Sequence, residues 1–372
     1  MSHRKFEHPR LGSLGYIPKK RANKLVQNIK IMRSYNKYEV FPKIIQFFGY
    51  KVGMTHVMRT SMVSNSRVFH KEVCDSVSII ECPPVLVIGV NLYSLISGKY
   101  KKSYHFNIIK NSRKRSKTSK EQLKNLMINS NFLNQIISYY NIIKISVRTY
   151  YRKNSIENKK PINLEFQILG GSPKAKIEYA FKLLGKKIFL SSLFKQDENV
   201  DILGITKGHG TQGVIRRWGV TRLPRKTRRG FRKVGCIGPW NPSRVSWTIA
   251  RGGQMGYHKR KKLNNKILKV GNSNGYSKNS TTLYDLSVKS VNCLGGYKKY
   301  GFVHHDFLMI KGSIPGCQRR PLIISASKGK RSSKFDEVSN VTFIDTSSKI
   351  GHGRFQTTSE KALSQGKNNY LI

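Results

Sequence analysis

Carboxylates are scarce in this chain. Its 372 residues include 18 Asp or Glu against 70 Lys or Arg, which gives a formal net charge of +52. Residues 202–284 run for 83 positions with 19 Lys or Arg and no Asp or Glu. A segment of this kind cannot neutralise its own charge by folding on itself, so its counterion must come from outside. Nucleic acid is the polymer that supplies a dense lattice of phosphates over such a length.

Long apolar runs are also missing. None approaches the roughly 20 residues that a membrane-spanning helix needs, and the first residues carry no apolar stretch behind their charges, so we expect no secretory signal. We therefore rank a membrane surface well below nucleic acid as the polyanionic partner. The five cysteines form no C-x-x-C pair, which argues against a zinc ribbon or a disulfide framework and favours reduced thiols in a cytosolic protein: Cys74, Cys82, Cys236, Cys293 and Cys317.

Short β-branched and aromatic runs bounded by Gly or Pro predict strands of an all-β core. These runs cover residues 44–53, 77–80, 85–90, 200–205, 297–310 and 322–324. Helical spacing of apolar residues over 119–137 predicts one helix. Ser172 as N-cap, Pro173 at the first helical position and Gly185 at the end predict a second. The fold class is therefore mainly β with an α/β insertion.

The charge pattern divides the chain into four parts. Residues 1–40 are a basic N-terminal arm, and residues 41–204 plus 285–350 are the β body, with the helical insertion at about 100–195. Residues 205–284 are a basic central extension looped out of that body. Residues 351–372 are a polar tail, which we expect to be extended.

The glycines at 208, 210 and 213 match G-x-G-x-x-G directly after a predicted strand. A dinucleotide-binding fold would next need a helix, and an acidic residue about 20 positions later to hold the ribose. We expect no amphipathic helix over 214–219, and the acid-free segment supplies no carboxylate. The dinucleotide interpretation is rejected, and we expect these glycines to let the backbone approach a phosphate–sugar surface.

The basic segment also carries an aromatic motif. Its densest run of cations, 223–233, suits tracking along a nucleic-acid backbone and is compatible with nuclear import. Trp240 stands between Pro239 and Pro242, which excludes a helix or a central strand and predicts the tip of a stiff turn. With no core residues around it, we interpret it as an aromatic wedge against RNA. The role of Trp218 is less clear, and Trp247 fits a short strand.

A catalytic site needs a base, a nucleophile and an orienting acid, and the sequence offers no credible set. His304, His305 and Asp306 lack metal-ligand spacing. His209, His258 and His352 each lie beside Gly, Lys or Arg and suit polar contacts with RNA. We therefore predict that the protein is not an enzyme and holds no metal or cofactor of its own.

At these motifs the chain resembles the ribosomal protein L3 family in its eukaryotic form. The matching stretches are residues 1–6, 9–10, 12–15, 49–56, 208–258, 300–307, 311–312, 315–316 and 351–357. The resemblance implies a translation-protein-type β-barrel body, from which an N-terminal arm and a long central loop penetrate rRNA. It further implies that the loop tip, matching Trp240, approaches the peptidyl transferase centre and influences tRNA and elongation-factor binding.

The same resemblance implies a role in early large-subunit assembly. The implied partners are large-subunit rRNA, with structural Mg²⁺ bound to that RNA, and neighbouring ribosomal proteins, with no membrane and no small-molecule substrate. The implied location is cytoplasmic ribosomes after transit through the nucleolus. The residues expected to contact rRNA are Arg4, Lys5, Arg10, Lys19, Lys20, Arg21, Lys207, His209, Arg216, Arg217, Trp218, Arg225, Lys226, Arg228, Arg229, Arg232, Lys233, Trp240, Arg244, Arg251, His258 and Arg260.

The chain departs from the family in several places. Arg228 stands where eukaryotic relatives often carry a His that is methylated in some, so we expect no such modification. The Asn-, Ile- and Lys-rich insertion at about 107–158 matches poorly, and this composition favours a divergent organism with a reduced genome. Two other functions stay open at this stage: an RNA-acting enzyme, and a free nucleic-acid chaperone that mature ribosomes would lack.

Overall fold

The computed structural model describes residues 9–26, 41–63, 66–107, 140, 142–150, 161–271, 280–327 and 340–366. They divide into two compact units. The first comprises the described residues of the ranges 1–25, 205–260 and 315–317, and the second comprises the described residues of the ranges 26–204, 261–314 and 318–372. The predicted helix over 119–137 lies outside the described residues.

The described part of the chain is mainly β, as expected. Its strands and helices in chain order are β1 (Lys43–Ile44), β2 (Gln46–Thr60), β3 (Glu72–Glu81), β4 (Val85–Ile96), β5 (Lys99–Asn107), β6 (Ile142–Thr149), β7 (Asn163–Leu169), α1 (Pro173–Leu183), β8 (Lys187–Ile188), β9 (Asn199–Ile205), β10 (Thr211–Gln212), α2 (Val214–Trp218), β11 (Gly253–Gln254), β12 (Lys259–Gly271), β13 (Phe307–Lys311), β14 (Pro321–Ala326), β15 (Asn340–Ile344) and α3 (Thr358–Ser364).

The largest sheet closes on itself. Its hydrogen-bonded neighbours follow the order β14-β9-β12-β13-β3-β2, and β2 pairs again with β14, while β15 extends the sheet from the far end of β2. Strand β2 is buried over its first five residues, Gln46–Tyr50, which pair with β14. Gly49 lies in this stretch, and a Cβ there would lie 2.5 Å from the Ile80 Cγ2 atom, so the packing requires glycine.

A second sheet has the order β1-β7-β6-β4-β5, with β8 paired to β4. Helix α1 begins as predicted, since the Ser172 hydroxyl accepts a hydrogen bond from the Ala175 N–H at 3.2 Å. Ile177 and Ala180 on one face of this helix are buried in the same core as the sheet. Strand β4, whose first residues the sequence assigns to the β core, belongs to this second sheet.

Two expectations about local structure are wrong. Residues 297–306 do not form a strand: Gly295, Gly296, Gly301 and Lys299 all have positive φ, which breaks an extended run, and β13 begins only at Phe307.

The tail after residue 351 is not extended throughout, because helix α3 forms there. The Thr357 hydroxyl accepts from the Glu360 N–H at 3.2 Å while the Glu360 carboxylate accepts from the Thr357 N–H, which is a capping box.

Candidate nucleic-acid interface

The first unit contains no carboxylate in its described residues. Residues 9–25 carry five Lys or Arg, residues 205–260 carry 14, and neither segment includes an Asp or Glu. The unit therefore has to satisfy its internal cations with neutral groups. Backbone carbonyl oxygens and the faces of aromatic rings are the acceptors available.

Trp218 is the principal aromatic acceptor. It ends helix α2, its side chain is buried, and its indole Nε1 donates to the Arg251 carbonyl at 2.9 Å. The Lys19 Nζ atom lies 3.6 Å from the centroid of the indole ring, and the guanidinium carbons of Arg10 and Arg217 lie 5.7 and 5.8 Å away. Each such contact contributes about 0.5–2 kcal/mol, depending on how far the cation is desolvated. The indole ring of Trp218 thus contacts cations of both the arm and the extension.

Arg217 fastens the arm to the extension through carbonyl oxygens. Its guanidinium donates to the Gln254 carbonyl at 3.0 Å, to the Arg251 carbonyl at 2.9 Å and to the Lys19 carbonyl at 3.2 Å. The Lys19 ammonium returns a hydrogen bond to the Arg217 carbonyl at 2.9 Å. The two side chains are therefore clamped reciprocally onto each other's backbone, 198 residues apart in sequence.

Burial and neighbouring charges act on the pKa values of these cations. Burial lowers the pKa of the Lys19 ammonium, and the positive charges of Arg217, Arg260 and Arg10 lower this pKa further. Burial also lowers the pKa of the Arg217 guanidinium. An anion placed beside the cluster would favour the charged form of Lys19 and offset this effect. The cluster is thus electrostatically suited to a nearby phosphate.

His258 forms a second attachment between arm and extension. Its Nε2 atom accepts from the Gly256 N–H at 3.0 Å, so its Nδ1 carries the proton and donates to the Lys20 carbonyl at 3.0 Å. One residue away, the Ala22 N–H donates to the Tyr257 carbonyl at 2.9 Å. The arm is therefore held at Lys19, Lys20 and Ala22 by backbone and side-chain contacts together.

Most of the residues predicted to contact rRNA are exposed: Arg10, Lys20, Arg21, Lys207, His209, Arg216, Arg225, Lys226, Arg228, Arg229, Arg232, Lys233, Trp240, Arg244 and Arg251. Lys19, Arg217 and Arg260 are half-buried, and Arg4 and Lys5 lie outside the described residues.

Two predicted contact residues, Trp218 and His258, are buried, with 7% and 9% of their surface exposed. Their polar atoms are used inside the unit, so direct contact of these two side chains with RNA does not fit the structure. We assign them to the attachment of the arm instead. Sequence reasoning missed this because it depends on contacts between residues about 200 or more apart in the chain.

The two other tryptophans are open to solvent. Trp240 is 91% exposed and Trp247 is 68% exposed. The expected short strand around Trp247 is not present, since residues 247–249 form a turn in which the Ile249 N–H donates to the Ser246 carbonyl at 3.2 Å. The exposure of Trp240 leaves both faces of a large aromatic ring available for stacking.

The glycine motif at 208–213 adopts a compact loop rather than a dinucleotide cradle. Strand β10 pairs with β11, and the expectation of no helix after the motif is corrected by α2, although this helix has only five residues. The Gln212 amide donates to the His209 carbonyl at 2.9 Å and its oxygen accepts from Arg216 at 3.2 Å. The loop thus positions His209 and Arg216 beside each other on the surface.

Three residues of the unit were not singled out from the sequence as contacts. Arg222 stacks on Phe231, with 5.2 Å between its guanidinium carbon and the ring centroid. The guanidinium carbon of Arg260 lies 4.7 Å from the centroid of the Tyr16 ring. The interleaving of aromatic and basic residues was the available signal, but sequence spacing does not identify which ring meets which cation.

No cluster of three or more His, Cys, Asp or Glu side chains arranged to hold a metal ion occurs among the residues that the structure describes. Within the same residues, no helix has the length and apolar character needed to cross a bilayer.

The fold and the candidate interface define a mainly β protein with an acid-free, strongly cationic unit. The family model of ribosomal protein L3 matches residues 1–351. The large ribosomal subunit protein uL3 of Oryza sativa subsp. japonica is 40% identical, and the match covers 99% of each chain. The uL3 of Tetrahymena thermophila is 40% identical over 97% of this chain and 96% of its own, and that of Aspergillus fumigatus is 38% identical over 98% and 97%.

This chain belongs to the ribosomal protein L3 family, which confirms the resemblance seen in its motifs. The family is one of ribosomal proteins and not of enzymes, so the expectation that the chain has no catalytic activity is confirmed as well.

Gly12 tests the attachment of the arm. Its φ is +84°, and a Cβ at this position would lie 2.5 Å from the Trp218 Cε3 atom. We expect Gly12→Ala to loosen the arm at a cost of about 1–3 kcal/mol from overpacking, in addition to the strain of a left-handed backbone. In a background with Trp240→Phe and Trp247→Phe, the emission of Trp218 should shift to the red and become easier to quench.

Gly230→Ala is the matched control, since Gly230 has a φ of +88° and no atom within 4 Å of an added Cβ. It reproduces the backbone strain without the contact with Trp218. Identical emission spectra for the two variants would contradict the proposed attachment.

Proposed function

We propose that this protein is a non-catalytic constituent of the large ribosomal subunit that binds and organises rRNA through its first unit. The observation that carries the proposal is the absence of carboxylates from residues 9–25 and 205–260, whose cations are mostly exposed. The relatives named as large-subunit proteins support the same conclusion, because they match nearly the whole chain.

The mechanism we infer is charge neutralisation with release of condensed counterions. The loop around residues 223–231 illustrates it. The Leu223 N–H donates to the Phe231 carbonyl at 2.9 Å and the Thr227 hydroxyl donates to the Pro224 carbonyl at 2.6 Å, which closes the loop. The loop backbone that carries four exposed cations is therefore ordered before RNA arrives, which reduces the conformational entropy lost on binding: Arg225, Lys226, Arg228 and Arg229.

The arm and the extension act together in this proposal. Because Lys19 and Arg217 clamp each other and His258 holds Lys20, the two segments present one continuous cationic surface. The half-buried Lys19 is then a site where a phosphate gains both a direct ion pair and relief of repulsion among neighbouring cations. We propose residues 1–40 and, of the predicted extension 205–284, residues 205–260 as the rRNA-penetrating parts of the protein, because β12 is a strand of the largest sheet.

Trp240 is proposed as the functional tip of the extension. Its exposed ring is suited to wedge against or stack on a base, and the family resemblance points to the vicinity of the peptidyl transferase centre. There it would influence tRNA and elongation-factor binding. We further propose that residues 41–204 and 285–350 belong to the β-barrel body that the family resemblance implies. Binding to rRNA would begin early in subunit assembly, before export from the nucleolus to the cytoplasm.

A sucrose gradient of cell lysate, probed for this protein before and after magnesium removal, tests the proposal. We expect the protein in polysomes at normal magnesium, and on the dissociated large subunit after magnesium is removed, because a structural constituent remains with its rRNA. Confinement to light or pre-ribosomal fractions would contradict the proposal and favour a free nucleic-acid chaperone.

Replacing Trp240 tests the tip. We expect Trp240→Ala to enter large subunits normally, because an exposed side chain contributes little to folding, and to alter A-site tRNA affinity or programmed frameshifting. Trp247→Ala is the matched control, as it removes the same exposed aromatic surface seven residues further along. Unchanged tRNA affinity and frameshifting in Trp240→Ala ribosomes would count against a functional tip.

A further inference from the structure

Residues 279–288 in the second unit combine an absence of Lys and Arg with exposed apolar side chains. This stretch contains no Lys or Arg, although these residues make up 70 of the 372 positions. Four of its apolar side chains are unusually exposed: Leu283 at 101%, Tyr284 at 67%, Leu286 at 87% and Val288 at 54%. We call these four side chains the apolar strip. Its exposure needs an explanation other than RNA binding, for which it supplies no cation.

A buried ion pair between Asp285 and Lys289 stabilises the backbone that carries the strip. Asp285 and Lys289 are 3% and 2% exposed at the side chain, and the Lys289 Nζ lies 2.5 Å from the Asp285 Oδ1 atom. The other carboxylate oxygen accepts from the Thr282 N–H and hydroxyl, both at 2.7 Å. Exposed and covered residues therefore alternate from Tyr284 to Lys289, with the apolar side chains outward.

Further contacts fix the C-terminal end of this stretch. The Lys289 ammonium donates to the Ile344 carbonyl at 2.6 Å and lies 4.3 Å from the centroid of the Phe343 ring. The Ser287 and Thr357 hydroxyls are 2.5 Å apart. The outward direction of the apolar side chains is thus imposed by the contacts of their neighbours.

The electrostatics of the strip indicate the kind of partner. Asp285 and Lys289 neutralise each other, so the stretch 279–288 with its partner Lys289 adds no net charge in a chain of +52. RNA presents phosphates and sugar hydroxyls, which are bound by cations and hydrogen-bonding side chains, and bases, which stack on aromatic rings. Three of the four side chains of the strip, Leu283, Leu286 and Val288, are aliphatic and suit neither kind of contact. Contact with RNA therefore offers these aliphatic side chains little binding free energy. Burial against another apolar surface is favourable for them, because it removes apolar area from water.

We propose that the apolar strip is a docking surface for an apolar patch of a neighbouring protein in the large subunit. The inference rests on the proposed function, because the assembled subunit is what supplies that neighbour. In this proposal one chain carries two binding surfaces with different chemistry. The first unit binds a polyanion through exposed cations, and the strip binds protein through exposed aliphatic and aromatic side chains.

A photoreactive benzoylphenylalanine at Leu286 tests the proposal directly. Purified large subunits that carry this protein are irradiated, and the crosslinked products are digested with ribonuclease and identified by mass spectrometry. We expect a crosslink to a peptide of one other large-subunit protein. The same group at Trp240 is the comparison position, where the proposed function predicts a crosslink to RNA.

Crosslinking of position 286 to RNA alone, or to nothing while position 240 reacts, would overturn the inference and leave the proposed function standing. Absence of the protein from large subunits would instead overturn the proposed function and the inference with it. These two failures are distinguishable before irradiation, since the second is visible in the composition of the subunits.

A pair of variants provides an independent measurement. High-salt washing weakens cation–phosphate contacts and spares apolar ones, so retention on washed subunits should depend on the strip. We expect the double variant Leu286→Ser with Val288→Ser to be depleted several-fold relative to wild type after the wash. Leu95→Ser, which removes another exposed leucine in strand β4, should be retained like wild type. Equal retention of both variants would contradict the proposal.

Discussion

A protein segment without carboxylates has to neutralise its buried cations by other means, and the first unit depends on this constraint. Lys19 and Arg217 are held by carbonyl oxygens and by the face of the Trp218 ring. These acceptors orient the cations without cancelling their charge. The same contacts that fold the arm onto the extension therefore leave a cationic surface, and an external polyanion has to complete its neutralisation.

The second unit neutralises its buried charges with ion pairs between carboxylates and cations. Its buried Asp201 pairs with Lys261 at 2.8 Å, Asp285 pairs with Lys289, and Asp75 pairs with both Arg59 and Lys311. Carboxylates thus pair with buried cations in the β core of the second unit, and they are absent from residues 9–25 and 205–260, for which RNA is the proposed partner. The apolar strip extends this division, because its buried ion pair supports a surface suited to protein.

Helix α1 and the strands β2, β3, β4, β9 and β14 were predicted because periodicity and capping are local properties, whereas β5, β6, β7, β12 and β15 were not predicted. The capping box at Thr357 and Glu360 was also readable, yet the polar composition of the tail favoured an extended interpretation. By contrast, the stretch 297–306 has strand-forming residues that glycines at positive φ override. The roles of Trp218 and His258 depend on partners about 200 or more positions away, which no pattern in a single sequence identifies.

The central claim is that the acid-free unit carries the RNA contact, and the salt dependence of binding tests it most directly. If about ten phosphates are neutralised, the log–log slope of affinity against salt for the full chain and large-subunit rRNA should be roughly −7 to −9. Arg228→Gln with Arg229→Gln should reduce its magnitude by about 1 to 2, whereas Lys174→Gln with Lys182→Gln on α1 should leave it unchanged. A slope near zero, or equal effects of the two pairs, would contradict the account.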